Sequence, residues 1–244
     1  MKYRYIHRLF IVEGLKSVEE LLLSNFDIIE LLVTKNWYDS NPDFGQSAQV
    51  LPEFVTENEM AALSNLSTPP GVLAVARIPD YDDVEVELKN KITLVLDGIS
   101  DPGNMGTIIR TADWFGLKYI ICSEDSVDVF NQKVVQASMG SIFRLKVITR
   151  SLTSLFDQAA GLGIPVYGAY LDGVNIYNEA SDFQEGVLVI GSESHGIREN
   201  THKYITTKLS IPNFSDNTNK AESLNASIAT AIILSEMKRK SVLF

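Results

Sequence analysis

At 244 residues the chain can bury a sizeable core, as one large domain or two modest ones. Its 45% apolar and 21% charged residues describe an ordinary globular protein and exclude a low-complexity chain. A net charge of −10 speaks against a surface that is basic throughout, and the one cysteine, Cys122, excludes an internal disulfide or a cysteine-based zinc site.

The chain opens on MKYRYIHRLFIVEGL, where Lys2, Arg4, Arg8 and Lys16 stand against the single acid Glu13, so this end is locally basic. The apolar run 9–12 is too short for a secretory segment, and no stretch approaches a membrane span. A cytoplasmic protein that uses neither membrane nor metal is expected. Hydrophobic periods predict a strand at 8–14, a helix at 15–23, and strands at 28–33 and 48–51. Thr56, followed three residues on by Glu59, has the capping-box pattern and starts a short helix at 57–66. Ser67-Thr68-Pro69-Pro70-Gly71 ends it, and 72–76 returns as a strand. The stretch 78–91, IPDYDDVEVELKNK, gathers Asp80, Asp82, Asp83, Glu85 and Glu87 and is the best domain boundary.

Next comes ITLVLDGISDPGNMGTIIRTADWFG, residues 92–116. A β-branched apolar run at 92–96 predicts a buried strand, and Asp101-Pro102-Gly103-Asn104 supplies turn chemistry. From Gly106 the period is helical through Ile108, Ile109, Ala112 and Phe115, with Arg110 and Asp113 between them and Gly116 as the stop. Further elements are expected at 119–122, 131–138, 143–148, 152–162, 166–170, 187–190, 208–211 and 223–240. Alternating strands and helices predict a mostly parallel sheet covered on both faces, whose ligands bind at the carboxyl ends of the strands. The strand–loop–helix design of 92–116 recurs twice: GVLVIGSESHGI at 186–197, and a strand closed by Ile211-Pro212 with ESLNAS at 222–227 opening a helix.

These three stretches together resemble the motifs of the SpoU family, the 2′-O-ribose RNA methyltransferases of the SPOUT class. The matching residues are DPGN-x-G-x-x-x-R-T-A-D-x-F-G at 101–116, G-x-E-x-x-G at 191–196, and IP followed by ESLN-x-S at 222–227. The resemblance implies an α/β chain in two parts. A small L30e-like α/β/α domain at 1–79 would bind the RNA substrate. An acidic linker at 80–91 would lead to a SPOUT methyltransferase domain at 92–244 with a C-terminal trefoil knot. It further implies S-adenosyl-L-methionine as cofactor and structured RNA as substrate, ribosomal RNA preferred to transfer RNA.

The cofactor is expected on Ile190, Gly191, Glu193, Gly196, Ile211 and Leu224, largely through backbone groups. The catalytic candidates are Arg110, Asn104, Glu193, Ser223 and Asn225. A guanidinium does not deprotonate readily, so Arg110 suits a fork gripping the phosphate beside the target ribose better than a base. Ser223 and Asn225 have a competing role as helix caps. Two departures stand out: Ser192 and Ser194 in the second motif, and a longer loop, NFSDNTNKA, between Pro212 and Glu222. The family also implies a homodimer, in keeping with a last helix that is apolar on nearly all faces. A non-catalytic RNA-binding protein is the alternative. A nucleotide-using small-molecule enzyme finds no GxGxxG or GxxxxGK[ST] to support it.

Overall fold

The computed structural model describes residues 2–45, 50–217, 219 and 221–243. Its first sheet has strands β1 (Leu9–Glu13), β2 (Ile28–Thr34), β3 (Glu53–Val55) and β4 (Val72–Arg77) in the order β1-β4-β2-β3. Strand β4 runs antiparallel to β1 and β2, and β3 lies parallel to β2 at the edge. Helices α1 (Lys2–His7), α2 (Leu15–Leu22), α3 (Lys35–Ser40) and α4 (Glu57–Leu63) accompany it. The capping box forms as the sequence predicts: Glu59 N–H donates to Thr56 Oγ1 at 3.2 Å, and Thr56 N–H donates to the Glu59 carboxylate at 2.8 Å. Of the strand expected at 48–51, residues 48 and 49 lie outside the described residues, and the strand found here is β3. Helices α1 and α3 were not expected; each is six residues long, and α3 buries none of its side chains, so neither leaves a periodic signal.

The second sheet has strands β5 (Ile92–Asp97), β6 (Tyr119–Cys122), β7 (Lys146–Thr149), β8 (Val166–Asn175), β9 (Gly186–Gly191) and β10 (Thr207–Ser210), in the order β10-β8-β9-β5-β6-β7. Every pairing is parallel. Strand β5 is buried at all six positions because both its faces are covered, which is why it reads as a continuous apolar run. Leu94 and Leu96 face a core shared with α5 (Pro102–Trp114), α6 (Gln132–Ser138) and the last helix, α9 (Ala226–Leu243). Val95 faces the other side, under α7 (Leu152–Leu162). The short helix α8 (Glu199–His202) follows β9.

The acidic stretch after β4 is strapped onto that second face. Val86 and Leu88 are buried there, Arg150 Nη2 donates to the carbonyls of Tyr81 and Val84 at 3.2 and 3.1 Å, and Gln158 Nε2 donates to that of Val86 at 3.2 Å. Its acids face outward because the apolar residues between them are taken by the sheet. The two sheets meet along an aromatic seam. Phe10 packs on Phe130 with ring centroids 4.8 Å apart, and Phe26 on Phe143 at 5.3 Å. Ion pairs Arg4–Asp128 and Arg144–Glu20 flank it, and one hydrophobic core runs from β1 through to α9.

Candidate active site

Parallel strands deliver their following loops to one edge, and here the central pair ends level, with Asp97 of β5 opposite Gly191 of β9. The DPGN stretch after β5 is not a free loop. Asp101 is the N-cap of α5, accepting from Asn104 N–H at 2.7 Å, and Pro102 takes the first helical position, where its missing N–H costs nothing. Gly106 is glycine for packing: a Cβ there would lie 2.5 Å from Ala137 Cβ and 2.8 Å from the Val134 carbonyl on α6.

The stretch after β9 folds back on itself. Ser192 and Gly196 exchange backbone hydrogen bonds of 3.1 and 2.9 Å, and a Cβ on Gly191 would fall inside Gly196 and Ile197 main chain, under 3.0 Å. Gly196 serves the same turn differently, through a backbone angle φ of +66° with open space around it. Both glycines of the second motif are therefore explained by the shape of the loop. Ser194 Oγ lies 2.7 Å from His195 Nδ1 at its exposed tip. After β10, Asn225 rather than Ser223 caps α9, its Oδ1 accepting from the N–H groups of Ser227 at 2.9 Å and Ile228 at 3.3 Å. Helix α9 thus starts at Ala226, later than the 223 expected, and Ser223 stays exposed and outside the cap.

Three of the expected residues meet directly. Asn225 Nδ2 donates to Asn104 Oδ1 at 2.9 Å, and Asn104 Nδ2 in turn donates to a carboxylate oxygen of Glu193. One polar chain therefore runs from the N-terminus of α9 to the Glu193 carboxylate, every member oriented by the one before it. Ile190 is buried in the core, so only its main chain can reach a ligand. Ile211 is partly exposed and Leu224 is 48% exposed, so two apolar residues stand open at this edge beside the polar chain. That donor set fits an adenosine moiety, whose base wants apolar cover and whose edges want backbone partners.

Arg110 is not part of this chain. It lies six residues past Asn104, so a helical turn of 3.6 residues sets their side chains roughly 120° apart around α5. It is exposed and makes no ion pair with another described residue. Trp114, one turn further on the same face, is 84% exposed. Periodicity passes over that tryptophan because it stands on the polar side of the helix. The strand expected at 166–170 is β8, which lies between β9 and β10 and runs five residues further than expected, to Asn175. Its pairing with β10 jumps from Lys208–Gly168 to Leu209–Val174, so residues 169–173 bulge out at the edge between the second and third motifs. A cavity of about 270 Å³ opens beside Arg198 and α7, lined by Asp125, Arg150, Thr153 and Tyr204 among others, and none of the expected site residues borders it. Among the described residues there is no cluster of His, Cys, Asp and Glu able to hold a metal, and no helix long and apolar enough to cross a membrane.

Three loops at one edge of a doubly covered parallel sheet, tied together by a carboxamide–carboxylate chain, define a site of the SpoU methyltransferase type. Comparison with known proteins agrees: the profile of the SpoU rRNA methylase family matches residues 91–235, and that of the MRM3-like substrate binding domain matches residues 1–74. The chain belongs to the SpoU family. It is 30% identical over 230 residues to the 23S rRNA (guanosine(2553)-2′-O)-methyltransferase RlmP of Bacillus subtilis, covering 94% of this chain and 88% of that one. A TrmH-family structure from Porphyromonas gingivalis superposes with a TM-score of 0.83 at 38% identity, over 98% of this chain and 93% of the other. The SpoU methyltransferase AviRb of Streptomyces viridochromogenes, solved in complex with AdoMet, gives 0.82 at 26% identity, over 99% and 93%. The mixed α/β fold is that of these methyltransferases.

Proposed function

We propose that this chain is an S-adenosyl-L-methionine-dependent 2′-O-ribose methyltransferase acting on structured RNA, with ribosomal RNA favoured over transfer RNA. The observation that carries the reading is the Asn225–Asn104–Glu193 chain, which joins the three motifs through side chains rather than through sequence alone. The rRNA methyltransferase RlmP and the AdoMet-bound AviRb support the substrate class and the cofactor.

The cofactor, when bound, supplies a methyl group on a sulfonium. The protein's task is to hold it in line with a ribose hydroxyl, assist loss of the hydroxyl proton and exclude water. The main chain of Ile190, Gly191, Gly196 and Ile211, with the side chain of Leu224, cradles the adenosine end. Glu193 is aimed by Asn104 and Asn225. Ser223, exposed next to Leu224, is free to meet the substrate. Arg110 grips the phosphate beside the target ribose, and its charge lowers the pKa of the hydroxyl without accepting the proton itself.

The chain divides into an L30e-like RNA-binding domain at 1–79, an acidic linker at 80–91 and a catalytic domain at 92–244 with a C-terminal trefoil knot. The working unit is a cytoplasmic homodimer. Arg110 points away from its own Asn104 cluster, and it shares an uncovered face with Trp114 while Ile228 of α9 is 50% exposed. A two-fold partner would cover this surface and bring Arg110 of one subunit to the cofactor of the other. The test has two parts. The demethylated product should bind in a titration calorimeter, and mapping of 2′-O-methyl groups in RNA from a deletion strain should show one missing ribosomal position. No binding together with an unchanged methylation map would overturn the reading; a missing position in transfer RNA would correct the substrate.

A further inference from the structure

We infer that Arg198, gripped by Asp97 and Asp125, is the positioning residue for the loop 191–197, an inference that rests on reading this loop as the cofactor cradle. Asp97 ends β5 with its side chain wholly buried. Its Oδ2 accepts from the main-chain N–H of Arg198 at 3.0 Å, and its Oδ1 accepts from Arg198 Nε at 2.6 Å, with Nη2 also against it. Arg198 Nη1 then donates to both oxygens of Asp125 at 2.9 Å. Asp125 follows β6, so one guanidinium leaving the loop after β9 is bolted to the ends of β5 and β6, the next two strands across the sheet.

The other ties of the loop do not replace this one. The Ser192–Gly196 hydrogen bonds close the neck on itself, and the Asn104–Glu193 bond holds the tip. Where the closed loop sits against the sheet is set at its exit, by the buried Ile197 and by Arg198. Partial desolvation works against the Arg198 charge, but the hydrogen bond and charge of Asp97, followed by those of Asp125, outweigh it and raise its pKa. Desolvation likewise works to raise Asp125, and the Ser123 hydroxyl, the Asp125 main chain and Arg198 hold it below the usual carboxylate range. Both shifts favour the charged forms, so Arg198 and Asp125 face each other as a charged pair. A planar fork is required, since three donors face two carboxylates at fixed angles, and a lysine can satisfy only part of the set.

The consequence is a split between substrates. Releasing the exit lets the cradle drift, and a misplacement of about 1 Å in a reacting geometry costs on the order of 100-fold in rate. RNA docking, which uses other surfaces, should not notice. Full-length Arg198→Lys and Asp125→Asn are compared with wild type and with Arg144→Lys, an ion-pair variant at the aromatic seam. The readouts are product affinity by calorimetry, RNA affinity by fluorescence anisotropy, KM for each substrate, kcat and circular dichroism. Arg198→Lys is expected to weaken product binding and raise the cofactor KM by about tenfold or more, and to lower kcat as well because Glu193 rides on the same loop, with RNA affinity within about threefold. Asp125→Asn should move the same way by less, and Arg144→Lys should not move cofactor affinity. Product binding as tight in Arg198→Lys as in wild type would overturn the inference, as would equal losses in Arg144→Lys. Should Arg198→Lys fail to fold, Asp125→Asn decides, and unchanged product affinity there is a refutation. Wild-type protein that binds no product would overturn the cofactor reading itself, and this inference with it.

Discussion

Replacing Gly191 by alanine tests the architecture of the second motif at one methyl group. The added Cβ would lie under 3.0 Å from Gly196 and Ile197 main chain, where ordinary contact begins at 3.4 Å. These are backbone atoms of a closed loop, so no side chain can swing aside to make room. Overpacking of this kind costs about 1–3 kcal/mol. Opening the neck also weakens the Ser192–Gly196 pair of hydrogen bonds, at about 1 kcal/mol each. A total of about 3–5 kcal/mol corresponds to a melting point lowered by roughly 6–20 °C in a chain of this size. Gly196→Ala has no clash and only the left-handed backbone to strain, at about 1 kcal/mol and roughly 2–4 °C. Both variants are melted with and without the demethylated product. Gly191→Ala should lose most of the ligand-induced rise in melting point, and Gly196→Ala should keep more of it. A Gly191→Ala protein that melts with wild type, or a Gly196→Ala protein that is the worse of the two, would refute the close-approach reasoning.

Three further outcomes are expected. Arg110→Ala should lower methyl transfer by two orders of magnitude or more with product affinity nearly unchanged, and Arg110→Lys should not rescue it; activity within a few-fold of wild type removes Arg110 from the mechanism. Light scattering should give twice the 27.1 kDa chain mass for wild type, and Trp114→Glu, which puts a charge on the uncovered face of α5, should shift the protein toward the single-chain mass. Unchanged scattering in that variant would move the interface elsewhere. Burial pushes the Cys122 thiol up to about 12, so at pH 8 it is neutral and shielded. A thiol reagent should therefore label it only as the protein unfolds, and rapid labelling of native protein would contradict the buried position.

How far the fold could be read from the residues depended on whether the deciding contact was local. Thr56 and Glu59 are three residues apart, and their capping box forms where the pattern places it. The run 92–96 reads as a buried strand because both faces of β5 are covered, so its apolar character is unbroken. Asp101-Pro102-Gly103-Asn104 was harder, since residues that favour turns also favour the first turn of a helix, and only the Asp101 cap decides between them. Ser223 and Asn225 were equally good capping candidates by type, and geometry chose Asn225. The Asp97–Arg198 bond lay out of reach. Asp97-Gly98 looks like a turn signal, and its partner is 101 residues away. The aromatic seam is hidden in the same way, because Phe10 and Phe130 are each ordinary members of separate apolar runs.

That seam has a consequence for how the protein is made. The surface formed by Phe10 on β1 and Phe26 in the turn before β2 finds its cover in Phe130 and Phe143, well over a hundred residues downstream. At a translation rate of about 5–20 residues per second, the nascent first sheet waits on the order of 6–24 s before that cover leaves the ribosome. During the wait it presents aromatic surface to its surroundings, a natural point for a chaperone to hold the chain. The first sheet thus completes its packing late although it is synthesised early, and a fragment ending near residue 79 would remain permanently in that waiting state.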